Sequence, residues 1–142
     1  MTRTIIKGDQ QNEEWRKLRL GCATGSGFQH VLAQGKGKEE ATTRSNYRVR
    51  LALEILTGEP EHDDLSYKKD IALGIEREPK GRERFENDSG FIVEQVAFIK
   101  LDSMPVGCSP DGLIDAEAGL EIKCPSKAVH YEYLSLTDTP PS

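Results

Sequence analysis

Three residues whose side chains could carry out hydrolytic chemistry lie near the end of the chain. Asp111, Glu121 and Lys123 follow the pattern Asp-x9-Glu-x-Lys. Two converging carboxylates repel each other unless a cation lies between them, and oxygen ligands of this kind suit Mg²⁺ or Mn²⁺. A neighbouring lysine can hold a metal-polarised water and neutralise charge that develops on a phosphate. The pattern therefore indicates metal-dependent cleavage of a phosphodiester.

A β-hairpin would bring these three side chains together. Two short runs, 111–115 and 119–124, flank a turn and are expected to pair as antiparallel strands. In the register that sets Asp111 opposite Lys123, Asp111 shares a face with Glu121 and Lys123. A shift of one residue would put Asp111 on the other face. We choose the first register because it brings the three reactive side chains together, and not because the turn requires it. The alternative interpretation is a surface hairpin with an Asp–Lys ion pair, worth about 1 kcal/mol or less.

The rest of the chain predicts several helices and then a sheet. Apolar residues recur at helical spacing over 43–57, and Gly58 follows them, which is typical of a helix end. The pattern over 66–88 is also helical, but Pro79 lies inside it, so we expect a bend or a restart near Glu78. The other predicted elements are helices at 12–20 and 26–34, an exposed loop at 35–40, a strand at 91–101 and a helix that begins at Ser126.

Three ordered motifs resemble one protein family. Cys108–Leu113 and Gly119–Pro125 closely resemble the core of the phage lambda exonuclease and YqaJ-type viral recombinase nucleases, a branch of the PD-(D/E)xK superfamily. Glu14–Gly21 and Gly74–Glu78 are similar to two other motifs of that family. The resemblance implies an α/β, restriction-endonuclease-like fold, with a central mixed sheet flanked by helices. It also implies one nuclease domain over 1–142 in which the C-terminal part of the core is missing.

The resemblance adds further ligands to the metal site. It implies that Glu78 and the backbone carbonyl of Ile122 join Asp111 and Glu121 in holding one or two ions, Mg²⁺ or Mn²⁺. The ordinary interpretation of Glu78 is a glutamate on the surface of a helix.

The resemblance also implies a pocket for a 5′ phosphate, lined by Arg19, Ser26 and Ser109. A planar guanidinium and hydroxyl groups suit phosphate oxygens. The alternatives are a surface ion pair for Arg19 and a helix N-cap for Ser26.

These residues and the family resemblance together imply a Mg²⁺-dependent 5′→3′ exonuclease that degrades linear double-stranded DNA to mononucleotides for phage-type recombination. The resemblance implies double-stranded DNA ends as substrate, a ring-shaped homotrimer and a single-strand annealing protein as partner. The alternatives are an endonuclease on the same scaffold and a truncated, non-catalytic fragment that binds DNA ends.

The amino-acid composition restricts the range of possible functions but does not distinguish the exonuclease from its alternatives. The net charge of −5 and the pI near 5.3 argue against a protein that holds long DNA by charge alone. Cys22, Cys108 and Cys124 lack the spacing of a zinc site, so reduced thiols are expected. The sequence shows no signal peptide and no apolar run long enough to span a bilayer. We therefore expect a cytoplasmic protein that does not enter a membrane.

Overall fold

The structure is a computed structural model that describes residues 2–37, 39–61, 69–115 and 117–136. Helices form mainly in the first two thirds of the chain and short strands in the last third. The elements are β1 (Arg3–Lys7), α1 (Glu13–Leu18), β2 (Ala23–Thr24), a 3-10 turn (Gly25–Gly27), α2 (Phe28–Val31), α3 (Thr42–Thr57), α4 (Lys69–Ser89), β3 (Val93–Glu94), β4 (Val96–Leu101), β5 (Val106–Cys108), β6 (Gly112–Ile114), β7 (Ala118–Leu120) and α5 (Lys127–Leu134).

The strands of the described residues form two sheets. One has the order β1-β4-β5-β2 and the other the order β3-β6-β7. Within them, β2 and β5 run parallel and the other described neighbours run antiparallel. Helices α1 and α2 contact β4 and β2 of the first sheet. The predicted fold class, an α/β mixed sheet with flanking helices, is confirmed.

The predicted strand at 91–101 is wrong as a single element. It divides at Gln95 into β3 and β4, which belong to different sheets. The burial pattern gives the reason: Val93 and Val96 are buried, whereas Glu94 and Gln95 between them are both exposed. Two exposed residues in succession break the alternation of a continuous strand, and the chain passes from one sheet to the other there.

Local signals explain the ends of the helices. The side chain of Asn12 accepts a hydrogen bond from the Trp15 backbone N–H at 2.7 Å and caps α1. Helix α3 ends at Gly58, which adopts the left-handed conformation at φ 71°. The predicted helix over 26–34 is shorter than expected, because a 3-10 turn occupies 25–27 and α2 ends at Val31. The helix predicted to begin at Ser126 is confirmed as α5, with Ser126 as its N-cap.

Helix α4 continues through Pro79, so the restart that the sequence offered as one of two possibilities is wrong. Pro79 is exposed, so water can solvate the carbonyl that its ring leaves without an N–H partner. The predicted start of this helix, at 66–68, lies outside the described residues. No helix in the described part of the chain is long and apolar enough to cross a membrane.

The core lies around β4. Phe98 and Val96 are fully buried. Trp15 of α1 and Tyr47 of α3 are also buried. Gly107 on β5 lies directly against the Phe98 ring, so a side chain at this position would collide with it. Strand β5 is thereby held close to β4, and the chain that leaves β5 leads directly to Ser109 and Asp111.

Candidate active site

The predicted hairpin is confirmed, but its register is wrong by two residues. Strands β6 and β7 pair antiparallel with Gly112 opposite Leu120. Extended by one residue, this register sets position 111 opposite 121, not opposite 123. A shift of two residues leaves every side chain on its predicted face. Asp111 therefore still lies beside Glu121. The difference of two residues between the predicted and the observed register depends on the geometry of the turn, which the sequence did not reveal.

A short hydrogen bond closes the open end of this hairpin. Asp111 Oδ2 accepts from the Ile122 backbone N–H at 2.5 Å. The Ile122 side chain points into the fold against α4: a methyl group on Gly81 would lie 2.8 Å from Ile122 Cγ2. Because neighbouring residues in an extended chain point to opposite sides, Glu121 and Lys123 are exposed, and they form an ion pair at 2.7 Å.

Helix α4 adds Glu78 to this group through Arg82. The Arg82 guanidinium donates to Glu78 Oε1 at 2.7 Å, to the Asp111 carbonyl oxygen at 3.0 Å and to Gln95 Oε1 at 3.5 Å. Only 13% of the Arg82 side chain is exposed. We call Glu78, Asp111, Glu121 and Lys123 the hairpin site. The sequence had not identified Arg82 as its organiser, although the i, i+4 spacing from Glu78 was a signal for it.

Burial, with help from neighbouring carboxylates, raises the pKa of two acidic groups of the hairpin site, Glu78 and Asp111. Burial raises the pKa of Glu78 above its ordinary value, and the neighbouring Asp111 raises it further. Burial also raises the pKa of Asp111; the Ile122 N–H opposes this effect and Glu121 adds to it. Surroundings that disfavour the charge on Glu78 and Asp111 favour a bound cation, because a cation would stabilise their ionised forms.

The donors in the hairpin site suit a hard divalent ion, but their present contacts are with protein cations. Glu78 is paired with Arg82 and Glu121 with Lys123. Among the described residues, no three His, Cys, Asp or Glu side chains are grouped so that they could hold a metal ion. Carboxylate and carbonyl oxygens at Asp111, Glu121, Glu78 and Ile122 are nevertheless the ligand types that Mg²⁺ and Mn²⁺ prefer.

A second group of predicted residues is assembled around Trp15. The Arg19 guanidinium lies over the Trp15 ring, 4.0 Å from its centre. The Trp15 indole N–H donates to Ser109 Oγ at 2.9 Å, and the Ser109 hydroxyl donates to the Ala97 carbonyl at 2.8 Å. Burial lowers the pKa of Arg19. Trp15 thus connects Arg19 with Ser109, which is 94 residues away from Trp15 in sequence.

Strand pairing brings Ser26 to the same edge of the fold. Strands β2 and β5 are parallel, with Thr24 opposite Gly107, so the segments that leave them emerge on the same side. Ser26 and Ser109 each lie two residues beyond this pair. Ser26 is exposed, and its hydroxyl lies 3.4 Å from the Thr24 hydroxyl. We call Arg19, Ser26 and Ser109 the arginine–serine cluster.

Gln10 supports the segment that connects the two groups, and the sequence analysis missed it. Its side-chain amide donates to the carbonyls of Val96 at 2.9 Å and of Pro110 at 2.8 Å. Pro110 separates Ser109 of the arginine–serine cluster from Asp111 of the hairpin site. A single glutamine before a helix follows no sequence pattern, so only the structure could reveal this contact.

Comparisons with known proteins agree with this geometry. The family model for the YqaJ-like viral recombinase domain matches residues 14–141. Among solved structures, the alkaline exonuclease LHK-Exo from Laribacter hongkongensis is 33% identical, with a TM-score of 0.73. The complex of LHK-Exo with dAMP matches equally well.

The match covers 92% of this chain and 62% of LHK-Exo, so the chain spans less than two thirds of that enzyme. A search of curated proteins found no match. The family model nevertheless covers nearly the whole sequence, including both the hairpin site and most of what supports it. The chain belongs to the YqaJ-like viral recombinase domain family.

Proposed function

We propose that this chain carries the active site of a Mg²⁺-dependent exonuclease that degrades linear double-stranded DNA from its 5′ ends. The observation that carries the proposal is that the hairpin register sets Asp111 beside Glu121 and its partner Lys123. Arg82 links Asp111 in turn to Glu78. Half-buried carboxylates with raised pKa values, here Glu78 and Asp111, next to a lysine are suited to metal-assisted hydrolysis of a phosphodiester. The LHK-Exo match supports the reaction class.

In this proposal, Asp111, Glu121, Glu78 and the Ile122 carbonyl hold one or two Mg²⁺ ions, with Mn²⁺ as a substitute. The chemistry that the ions supply is polarisation of the attacking water and of the phosphate oxygens. Asp111 is already fixed by the Ile122 N–H. Metal binding would replace the ion pairs that Glu78 and Glu121 form with protein cations. It would leave the Lys123 ammonium group free to stabilise charge on the phosphate.

The arginine–serine cluster would determine the polarity of cleavage. Arg19 offers paired donors to a 5′ phosphate, and the hydroxyls of Ser26 and Ser109 add hydrogen bonds. Ser109 and Asp111 are two residues apart, a span of at most about 7 Å. A terminal phosphate held there puts the next phosphodiester at the hairpin site, so each cut releases one nucleotide. The bound dAMP in the LHK-Exo complex fits a mononucleotide product.

Linear duplexes with 5′-phosphate or 5′-hydroxyl ends, and a covalently closed circular duplex, test this proposal. We expect the chain to release mononucleotides from the linear substrates in Mg²⁺, faster from phosphorylated ends, and to leave the circle intact. EDTA should abolish the release. Cleavage of the circle would indicate an endonuclease instead. Metal-independent binding of ends without any cleavage would indicate an end-binding role.

Three further expectations stay predictions, the first two from the family resemblance and the third from the sequence. They are a homotrimeric ring, cooperation with a single-strand annealing protein and a cytoplasmic location.

A further inference from the structure

Helix α3 supports the loop that lies between Arg19 and Ser26. The Gly21 backbone N–H donates to Glu54 Oε2 at 2.9 Å, and the Thr24 backbone N–H donates to the Tyr47 hydroxyl at 3.4 Å. Gly27 lies so close to this hydroxyl that a side chain there would collide with it. Glu54 and Tyr47 are both buried. The loop is therefore shaped against one face of α3.

Arg50 lies on the same part of α3 and has an unused donor. Its guanidinium lies over the Tyr47 ring, 4.7 Å from the centre. Its Nε is 3.7 Å from Glu54 Oε1, which is too long for a hydrogen bond. This nitrogen is buried and has no hydrogen-bond partner within the described part of the chain, whereas 33% of the side chain remains exposed. Arg50 is thus held in place by stacking on Tyr47, while about a third of its side chain stays exposed to solvent.

Glu54 places Arg50 close to the loop that follows Arg19, because its Oε2 accepts from the Gly21 N–H and its Oε1 lies 3.7 Å from Arg50 Nε. Burial lowers the pKa of Arg19, Tyr47 and Glu54 oppose this effect, and the positive charge of Arg50 adds to it. Two guanidinium groups with one buried carboxylate between them leave a net positive charge. An anion that lies between the two arginines would relieve their repulsion.

We propose that Arg50 is a second phosphate-binding arginine, which with Arg19 selects a terminal phosphomonoester over a phosphodiester. The inference rests on the proposed function, because it assigns a ligand to the arginine–serine cluster. A terminal phosphate carries a charge near −2 at neutral pH, whereas a phosphodiester carries −1. A terminal phosphate also offers three free oxygens to the donors of two guanidinium groups, whereas a phosphodiester offers only two. Arg50 would thereby make the pocket specific for true 5′ ends.

Binding of duplex DNA in EDTA tests the inference without any cleavage. The three probes are identical linear duplexes with a 5′ hydroxyl, a 5′ phosphate or a 5′ methyl phosphate, which is a diester of single charge. Fluorescence anisotropy measures their affinities for the wild type and for Arg50→Gln and Arg50→Lys. Circular dichroism checks that both variants fold. If Arg50→Gln does not fold, Arg50→Lys still tests the inference, because it keeps a positive charge beside Glu54.

Arg48→Gln is the matched control. Arg48 is on the same helix, but it is exposed and forms a two-bonded ion pair with Glu40. A general loss of charge or stability in the helix should affect this variant to the same extent as Arg50→Gln. Its preference among the three probes should equal that of the wild type.

We expect the wild type to prefer the phosphate over the methyl phosphate by roughly tenfold. Arg50→Gln should remove this preference and keep the preference for methyl phosphate over hydroxyl, which Arg19 supplies. Arg50→Lys should retain part of the phosphate preference, because it keeps the charge but loses the paired donors. A folded Arg50→Gln or Arg50→Lys variant with the full wild-type preference would overturn the inference, as would a wild type that shows none. Failure of the proposed function appears separately, as absence of cleavage in Mg²⁺ by a wild type that still prefers phosphorylated ends.

Discussion

The hairpin site and the arginine–serine cluster are built in different ways. The hairpin site takes three of its four residues from one hairpin, and its charged groups are largely exposed and paired with one another. The arginine–serine cluster joins residues from opposite ends of the chain through a buried tryptophan. A site made within one supersecondary element is visible as a sequence motif. A site made by packing depends on aromatic supports such as Trp15 and Tyr47, whose role cannot be seen in a motif.

The largest expected effect would test the hairpin site alone. Asp111→Asn, Glu121→Gln or Lys123→Ala should each lower the rate of mononucleotide release by about a thousandfold or more, because each removes a metal ligand or a charge that stabilises the transition state. The measurement is the initial rate in Mg²⁺ on a 5′-phosphorylated duplex. Near wild-type rates in any of these variants would contradict the assignment of the site.

A second substitution would separate the two regions. Arg19→Ala should reduce the rate advantage of 5′-phosphate over 5′-hydroxyl ends by on the order of tenfold to a hundredfold, because it removes a charge-assisted contact to the phosphate and no metal ligand. The ratio of the two initial rates isolates this effect from any general loss of activity. An equal loss on both substrates would assign Arg19 to structure or to general DNA binding.

The free energy of unfolding should depend on pH through the carboxyl groups of the hairpin site. The pKa values of Glu78 and Asp111 are raised in the folded protein, so the folded state holds these protons more tightly than the unfolded chain. The stabilisation is complete below the unfolded pKa values, near 4, and is lost as the pH rises through the raised values. Because Mg²⁺ binds the ionised carboxylates, its stabilising effect should be larger at pH 8 than at pH 5.

Thermal melting with and without Mg²⁺ measures this effect. Asp111→Asn should retain the hydrogen bond from the Ile122 N–H, because an amide oxygen also accepts. It should show a flatter pH profile and a smaller shift of the melting temperature with Mg²⁺. An unchanged Mg²⁺ shift in Asp111→Asn would place the ion elsewhere.

The smallest expected effect concerns the connection between the two regions. Gln10→Ala removes two hydrogen bonds that hold Val96 and Pro110, which should lower the free energy of unfolding by about 1–3 kcal/mol. Because Pro110 separates Ser109 from Asp111, the cleavage rate should fall in parallel with the phosphate preference. Urea unfolding and the two rate measurements check this. Lys17→Ala, which breaks an exposed ion pair with Glu13, is the control and should change stability by less than about 0.5 kcal/mol.

The sequence alone determined the features that depend on short-range patterns. The helix over 43–57 was predicted to within one residue, because its apolar spacing and Gly58 act locally. The hairpin and the faces of Asp111, Glu121 and Lys123 followed from the alternation of a strand. The family resemblance of three motifs identified the domain, which the family model and the LHK-Exo match confirm.

Only the tertiary structure decided how distant segments meet. The two-residue register shift depends on turn geometry, and the division of 91–101 depends on which sheet accepts each half. Gln10 has no local signature, because both of its partners are far away in sequence. Arg82 and Arg50 have local partners, but the sequence does not show that their helices pack against Asp111 and the loop after Arg19. Hydrogen bonds and stacking between such residues form only when the core around Phe98 packs. The reacting groups were therefore predictable from the sequence, while the groups that position them were not.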